Sequence, residues 1–290
     1  MAQSIAVLGG NGVYARHLIP RLIAASHKVR AVVRRPEAAG IARDSGAEIC
    51  IGDIFDTASM AAAFAGCDIA INLATSLPGP SGRGDFTAND KLRVEGAPNF
   101  VAASNQAGVA RAIQQSISFL NASGSDAWSD EDHRYVPPGE TVASKAMDAA
   151  EAMEATIRAS GLDWIILRGG LFYGPGTGFD ERWFAGAASG KLKMPGDGSD
   201  YVSLVHIADM AAATVATVDR WPSRQTLIVC DDMPAQWREV FGFIAASLGQ
   251  PEPASGGAAG FPSFRLRNTR ARAALDWQPF YRSFREGLAR

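Results

Sequence analysis

The chain opens on a short apolar run, Ser4-Ile5-Ala6-Val7-Leu8, that ends in the turn Gly9-Gly10-Asn11-Gly12-Val13-Tyr14-Ala15. Leu18, Leu22 and Ile23 then recur at helical spacing, so the pattern predicts strand, tight turn and amphipathic helix. The same beat continues. Residues 29–33 predict a second strand, followed by Arg34-Arg35-Pro36 and a helix ending near Gly46. Residues 48–51 predict a third strand closing on Gly52-Asp53, and a helix around 59–64 leads to an almost wholly apolar run at 68–73. Such a run suits a strand buried on both faces of a parallel sheet. Residues 77–85 read as a Gly/Pro-rich loop, 89–108 as one long helix, and 111–117 as a strand whose Gln114 and Gln115 are unusually polar. A polar surface loop at 121–139, an amphipathic helix at 141–160 and a strand at 164–167 complete the alternation. Repeated βα units of this kind predict a doubly wound parallel sheet with ligands at the C-terminal ends of its strands.

After Gly174-Pro175-Gly176 the pattern loosens into short strands (202–205, 226–229) and helices (209–218, 237–248), with a flexible loop at 251–260. The expected organisation is α/β: a Rossmann-type nucleotide-binding domain over 1–175, and a small C-terminal α/β substrate lobe over 176–290 that is interleaved with the sheet. Composition adds mainly exclusions. With 28 basic and 30 acidic residues and a mean hydropathy near zero, nothing advertises a nucleic-acid or membrane partner. Arg265, Arg267, Arg270 and Arg272 are interleaved with apolar residues and read as a solvated helix face, with an anion patch as the alternative. Cys50, Cys67 and Cys230 are isolated beside apolar segments, as reduced thiols of a cytoplasmic protein would be, and no metal-ligand spacing exists among the cysteines and histidines. The glycine turn begins too early for a signal peptide before it.

The turn itself carries the chemistry. A strand running through glycines into a helix N-terminus presents free backbone N–H groups to a phosphate. Gly9 permits the tight turn, Gly12 lets a pyrophosphate approach, and Ala15 allows close helix–strand packing. Asn11 and Val13 are candidate contacts within the turn. Arg34 directly follows the second strand, where an acidic residue would bind the ribose hydroxyls of NAD(H). An arginine there suits a 2′-phosphate, so NADP(H) is favoured over NAD(H). Asp53, with Ile54, ends the third strand where an acceptor for the adenine amino group would lie; a turn or cap aspartate is the alternative. Leu73 and Ala74 would line the same cleft.

The segments at 9–15, 52–56 (Gly-Asp-Ile-Phe-Asp), 72–74, 94–109, 162–176, 202–211 and 268–277 together resemble the extended or atypical short-chain dehydrogenase/reductase superfamily, of the NAD(P)-dependent epimerase/dehydratase type. The resemblance implies an NAD(P)-binding Rossmann sheet and a variable substrate lobe. It also implies that residues 168–173, including Gly170, lie near the nicotinamide, and that dimers form through the helices at 89–108 and 141–160. The superfamily's catalytic set is a Ser/Thr, a Tyr and a Lys, the last two spaced Y-x-x-x-K on one helix face. Here the matching segment is Thr141-Val142-Ala143-Ser144-Lys145: the lysine is kept and threonine stands where tyrosine belongs. An aliphatic hydroxyl neither ionises near neutral pH nor reaches as far as a phenol, so Thr141 cannot inherit the role. Lys145 retains a plausible contact to the nicotinamide ribose.

Ser116 and Ser118 both end the fifth strand on one face, and either could hydrogen-bond a substrate oxygen, with Ser118 placed slightly better. Tyr173 is the first candidate for a displaced proton donor, although packing between sheet and lobe is the reading its position favours. Tyr135 in the polar loop is a second, while Tyr201 reads as a strand residue. His206 and Asp209 read as a strand end and a helix cap. Three functions follow: an NADP(H)-dependent oxidoreductase of a small carbonyl or alcohol with a non-standard proton donor, an NADP(H)-binding sensor or assembly protein without turnover, and an epimerase or dehydratase using transient oxidation.

Overall fold

The computed structural model describes residues 2–77, 84–258 and 260–289. Seven strands build the central parallel sheet: β1 (Ser4–Leu8), β2 (Lys28–Val33), β3 (Glu48–Ile51), β4 (Ile69–Asn72), β5 (Arg111–Ile117), β6 (Asp163–Gly169) and β7 (Gln225–Val229). Their order is β7-β6-β5-β4-β1-β2-β3. β1 lies between β2 and β4, with Leu8 opposite both Val32 and Asn72, so the chain reverses its winding direction beside β1. That reversal opens a crevice at the strand ends, where open α/β sheets bind ligands.

Two compact units are formed, each from several separate stretches. The first comprises the residues up to Ser116, Asp148–Leu167 and Ala211–Thr226. Its core packs Ala6, Leu8, Val32 and Ala70 of the sheet against Met60, Phe64, Phe100 and Ile157 of the helices. Phe64 meets Phe100 edge-to-face at 5.8 Å. The second comprises Ile117–Met147, Arg168–Met210 and Leu227 onwards. Its core is aromatic, with Trp183, Trp237 and Phe241 in mutual contact and Tyr173, Phe264 and Phe284 fully buried. The expected contiguous division at residues 175/176 therefore gives way to an alternating one: the chain returns to the first unit at Ala211, within the helix Ile207–Arg220, whose buried Thr214 meets the Tyr14 hydroxyl.

Three expected elements differ. The long helix at 89–108 is two helices, Phe86–Val94 and Gly96–Gln106, broken at Glu95. Pro98 has no N–H to give the Val94 carbonyl, which interrupts the helical ladder at the break, and Gly96 beside it leaves room for the Ile54 side chain. The loop at 251–260 contains a strand, Ala254–Gly257, parallel to Lys193–Pro195. The C-terminal arginines are not one solvated helix face. Arg265 lies on the strand Arg265–Leu266 and Arg267 just beyond it, and only Arg270 and Arg272 are on the helix Thr269–Leu275. Of the expected loop at 77–85, residues 78–83 lie outside the described residues.

Candidate active site

In the first unit, β1 delivers the chain into the glycine turn and β2 anchors it. The N–H groups of Gly9 and Gly10 both donate to the Val32 carbonyl at 3.1 Å. Gly9 adopts φ +78°, and a Cβ there would lie 3.0 Å from the carbonyl carbon and oxygen of Leu73. A Cβ on Gly10 would lie 2.8 Å from that of Ala31. Gly12 donates its N–H to the Gly9 carbonyl at 2.9 Å and caps the helix Val13–Ala24 with extended backbone and no side chain. The helix has no acid in its first turn, and Ala15 is fully buried. An uncapped helix N-terminus beside glycines that leave room for an approaching group fits the pyrophosphate of a dinucleotide. Asn11 is half-buried, and its carbonyl takes a hydrogen bond from Arg16 Nε at 3.2 Å.

Arg34 and Arg35 leave the end of β2 exposed, and among the described residues neither has a carboxylate partner. The Asp53 carboxylate accepts the Phe55 N–H at 3.0 Å, the turn role that was one of its two expected readings, while Asp56 caps the helix Thr57–Phe64. Ile54 is buried, and its carbonyl accepts a hydrogen bond from Asn99 Nδ2 at 3.0 Å. At the end of β4, Asn72 Nδ2 donates to Gln114 Oε1 at 2.9 Å while its Oδ1 accepts the Ala74 N–H at 3.1 Å. This pair explains a polar Gln114 on a central strand, and it shapes the Leu73–Ala74 corner. Sequence reasoning noticed Gln114 but not its partner.

Ser116 and Ser118 do not act as a pair on one face. Ser116 ends in the first unit, where its Oγ donates to Glu154 Oε1 at 2.7 Å. Glu154 is fully buried and also accepts from Arg158 at 2.6 Å. Ser116 is thus spent on a buried network. Ser118 belongs to the second unit and opens the 3₁₀ turn Ser118–Asn121 rather than ending β5. It is fully buried, and its hydroxyl has no hydrogen-bond partner among the described residues.

Thr141 has a structural occupation. Its Oγ1 accepts the Ser144 N–H at 3.0 Å, and its own N–H donates to Ser144 Oγ at 2.7 Å. This reciprocal cap starts the helix Val142–Arg158. Lys145, one turn on, is exposed, with Glu140 3.9 Å away and equally exposed. Tyr173 is a packing residue. It is fully buried, its ring meets His206 edge-on at 5.2 Å, and its hydroxyl donates to the Ser283 carbonyl at 3.4 Å. Burial pushes its phenol well above the ordinary tyrosine value, so it holds its proton. Tyr135 folds back on the serine turn, its N–H donating to the Leu120 carbonyl at 3.1 Å and its ring covering Gly124. Gly170 is glycine for packing reasons: a Cβ there would lie 2.6 Å from the Ser203 carbonyl oxygen. Asp209 does not simply cap its helix; its carboxylate accepts the N–H groups of Phe280 and Tyr281, both at 2.9 Å. Cys67 and Cys230 are buried free thiols, and Cys50 is a half-buried one.

A family model described as NAD(P)H-binding matches residues 9–217, which takes in the glycine turn, the arginines after β2 and the Thr141–Lys145 segment. The chain belongs to the NAD(P)H-binding family. It is 30% identical to a 3-diazoavenalumate denitrifying reductase from Streptomyces, with 99% of each chain covered. It is also 23% identical to the 4-hydroxy-2-methyl-3-oxo-4-farnesyl-3,4-dihydroquinoline-1-oxide ketoreductase of Stigmatella aurantiaca, over 84% of this chain and 72% of the relative. In fold it matches a dTDP-glucose 4,6-dehydratase from Streptomyces venezuelae solved with NAD, at TM-score 0.82 and 19% identity, covering 99% and 94% of the two chains. This NAD(P)H-binding protein is accordingly an NAD(P)-dependent oxidoreductase. Among the described residues no helix is long and apolar enough to cross a membrane, and no group of three His, Cys, Asp or Glu could hold a metal ion.

Proposed function

We propose that the protein is an NADP(H)-dependent reductase of a small electrophilic acceptor that takes no proton from a protein phenol. Arg34, with Arg35 beside it, reads the 2′-phosphate; Gly9, Asn11, Gly12 and Val13 carry the pyrophosphate; and Asp53 with Ile54 contacts the adenine. Leu73 and Ala74 line the cleft, Lys145 binds the nicotinamide ribose, and Gly170 leaves room beside it. Ser118 donates a hydrogen bond to the substrate. The nicotinamide, when bound, supplies a hydride. The chain's own residues then have to orient the acceptor and steady the charge that develops on it.

The observation that carries this reading is the Ser118 hydroxyl, fully buried and without a partner among the described residues. Buried polar groups are nearly always hydrogen-bonded, so one left open in this superfamily's serine position is suited to a ligand atom. The test is NADPH oxidation across a panel of aldehydes, ketones and quinones with wild type and Ser118→Ala. Turnover should fall about a hundredfold while NADPH affinity holds. Equal turnover in both would remove Ser118 from the reaction. Saturable cofactor binding without turnover on any acceptor would favour a sensor.

A second reading of the acceptor is a diazo acid. Two observations favour it: the full-length similarity to a diazo-acid denitrifying reductase, and the commitment of Thr141 to capping a helix. A hydride delivered to the carbon bearing a diazonium group forms C–H as the C–N bond breaks and dinitrogen departs with the bonding electrons. That balance requires no proton from the protein. Dinitrogen released one-for-one with NADPH oxidised, from an arenediazonium carboxylate, would establish this acceptor. Turnover of carbonyl compounds alone would exclude it and leave the reductase reading standing. Epimerisation is the poorer reading, because reversible oxidation needs a proton carrier in both directions.

A further inference from the structure

Four arginines crowd the C-terminal part of the second unit, and they divide into two pairs. Arg270 lies 2.8 Å from Asp132 and 3.7 Å from Glu131, while Arg272 lies 2.7 Å from Asp232. These are compensated charges. Arg265 and Arg267 have no carboxylate within ion-pair distance among the described residues, Asp126 included. They stand two apart along the strand and its continuation, and therefore on one face, while Leu266 between them is buried. Both guanidinium groups lie against the ring of Trp128, at 4.5 and 4.8 Å from its centroid. Arg265 is also stacked on Tyr201 at 4.4 Å. The parallel pairing of Arg265 with Trp128 holds this arrangement in register.

Two like charges on one indole repel each other, and a cation–π contact at an exposed site is weak. Arg265 spends one N–H on the Asp126 carbonyl at 3.2 Å, and its buried Nε has no partner among the described residues. Arg267 is exposed, and Trp128 is 39% exposed. The result is a pair of planar donors stacked on aromatic rings, with no counter-charge among the described residues. Arginine forks of this kind match the two oxygens of a carboxylate or phosphate.

We propose that Arg265 and Arg267, stacked on Trp128, form a binding site for a small oxyanion, either the carboxylate of an organic acid or a phosphate group. The site goes beyond the reductase reading and stands independently of it, since none of its residues belongs to the cofactor or proton-handling set.

The test is calorimetric titration of the full-length protein, saturated with NADP⁺ and in low-chloride buffer, with sodium benzoate and separately with sodium phosphate. Wild type should bind at least one anion saturably, and which one identifies the source of the oxyanion. Arg267→Gln, at an exposed position, should weaken binding by about tenfold. The Arg265→Gln/Arg267→Gln double variant should abolish it, with thermal melting confirming that this variant folds. Arg270→Gln, which disturbs a charge already paired, should bind as wild type does. Equal binding by wild type and Arg267→Gln, or no saturable binding of either anion, would overturn the proposal.

Discussion

The turn at Gly9–Gly12 and the segment at Thr141–Lys145, both within the NAD(P)H-binding match, differ in what their residues do. Every steric condition of the turn is met: a positive φ at Gly9, Gly10 against Ala31, and an uncapped helix start at Gly12. The second segment has a lysine four residues after a threonine, and that threonine caps a helix. Nucleotide binding depends on backbone groups and on space, so substitution there is punished at once. Proton delivery depends on one side chain, which can be given up when the acceptor does not need it. The comparison teaches that an intact cofactor turn certifies a cofactor and says little about the chemistry.

The largest effect that would sharpen this contrast is expected at Gly9. Valine there would place a β-branched side chain at positive φ and its Cβ against Leu73, so NADPH affinity should fall by about a hundredfold or more. Fluorescence titration of the reduced cofactor reads this directly, and near-normal affinity would mean that the turn tolerates what its geometry forbids. Arg34→Ala comes next. Removing a charge-assisted hydrogen bond to the 2′-phosphate should cost about 1.5–3 kcal/mol of NADPH binding and leave NADH unaffected. A wild type that binds both equally would show that Arg34 reads something else.

The second unit also holds a buried acid that separates stability from chemistry. Asp231 is 2% exposed, with one oxygen unpartnered among the described residues, and burial raises its carboxyl well above the ordinary value. A raised folded value means that the group's contribution is complete below its unfolded value and is lost as pH rises through the folded one. Asp231→Asn should therefore gain melting temperature over wild type progressively as pH rises from the ordinary carboxylate range upward. A constant difference across that range would place the proton elsewhere.

How much was legible in the sequence follows the same division. β1 and β4 were readable because strands buried on both faces leave apolar runs, and the glycine turn was readable because only glycine meets its backbone demands. Ser116 and Ser118 were not separable: their spacing suggests one face, but Glu154, distant in sequence, claims the first, and a 3₁₀ turn redirects the second. The break at Glu95 had a local signal, Pro98 without an N–H for the Val94 carbonyl, which the apolar periodicity of a single long helix masked. The strand Ala254–Gly257 lacks any apolar residue larger than alanine, so its pairing with Lys193–Pro195 leaves no hydrophobic signature. Tyr173 carried the right residue type in the right segment, and only the structure shows its hydroxyl turned to the Ser283 carbonyl.

The smallest effect is expected at the centre of the comparison, and it is the most decisive. Thr141→Ala removes the cap and should cost about 1 kcal/mol of stability. Measured together with kcat/KM for NADPH oxidation on whichever acceptor the wild type uses, it separates cap from catalyst. The expected result is a lowered melting temperature with kcat/KM within about twofold of wild type, since an effect that small is under about 0.5 kcal/mol. A kcat/KM that collapses by orders of magnitude at an unchanged melting temperature would contradict it and return Thr141 to the reaction.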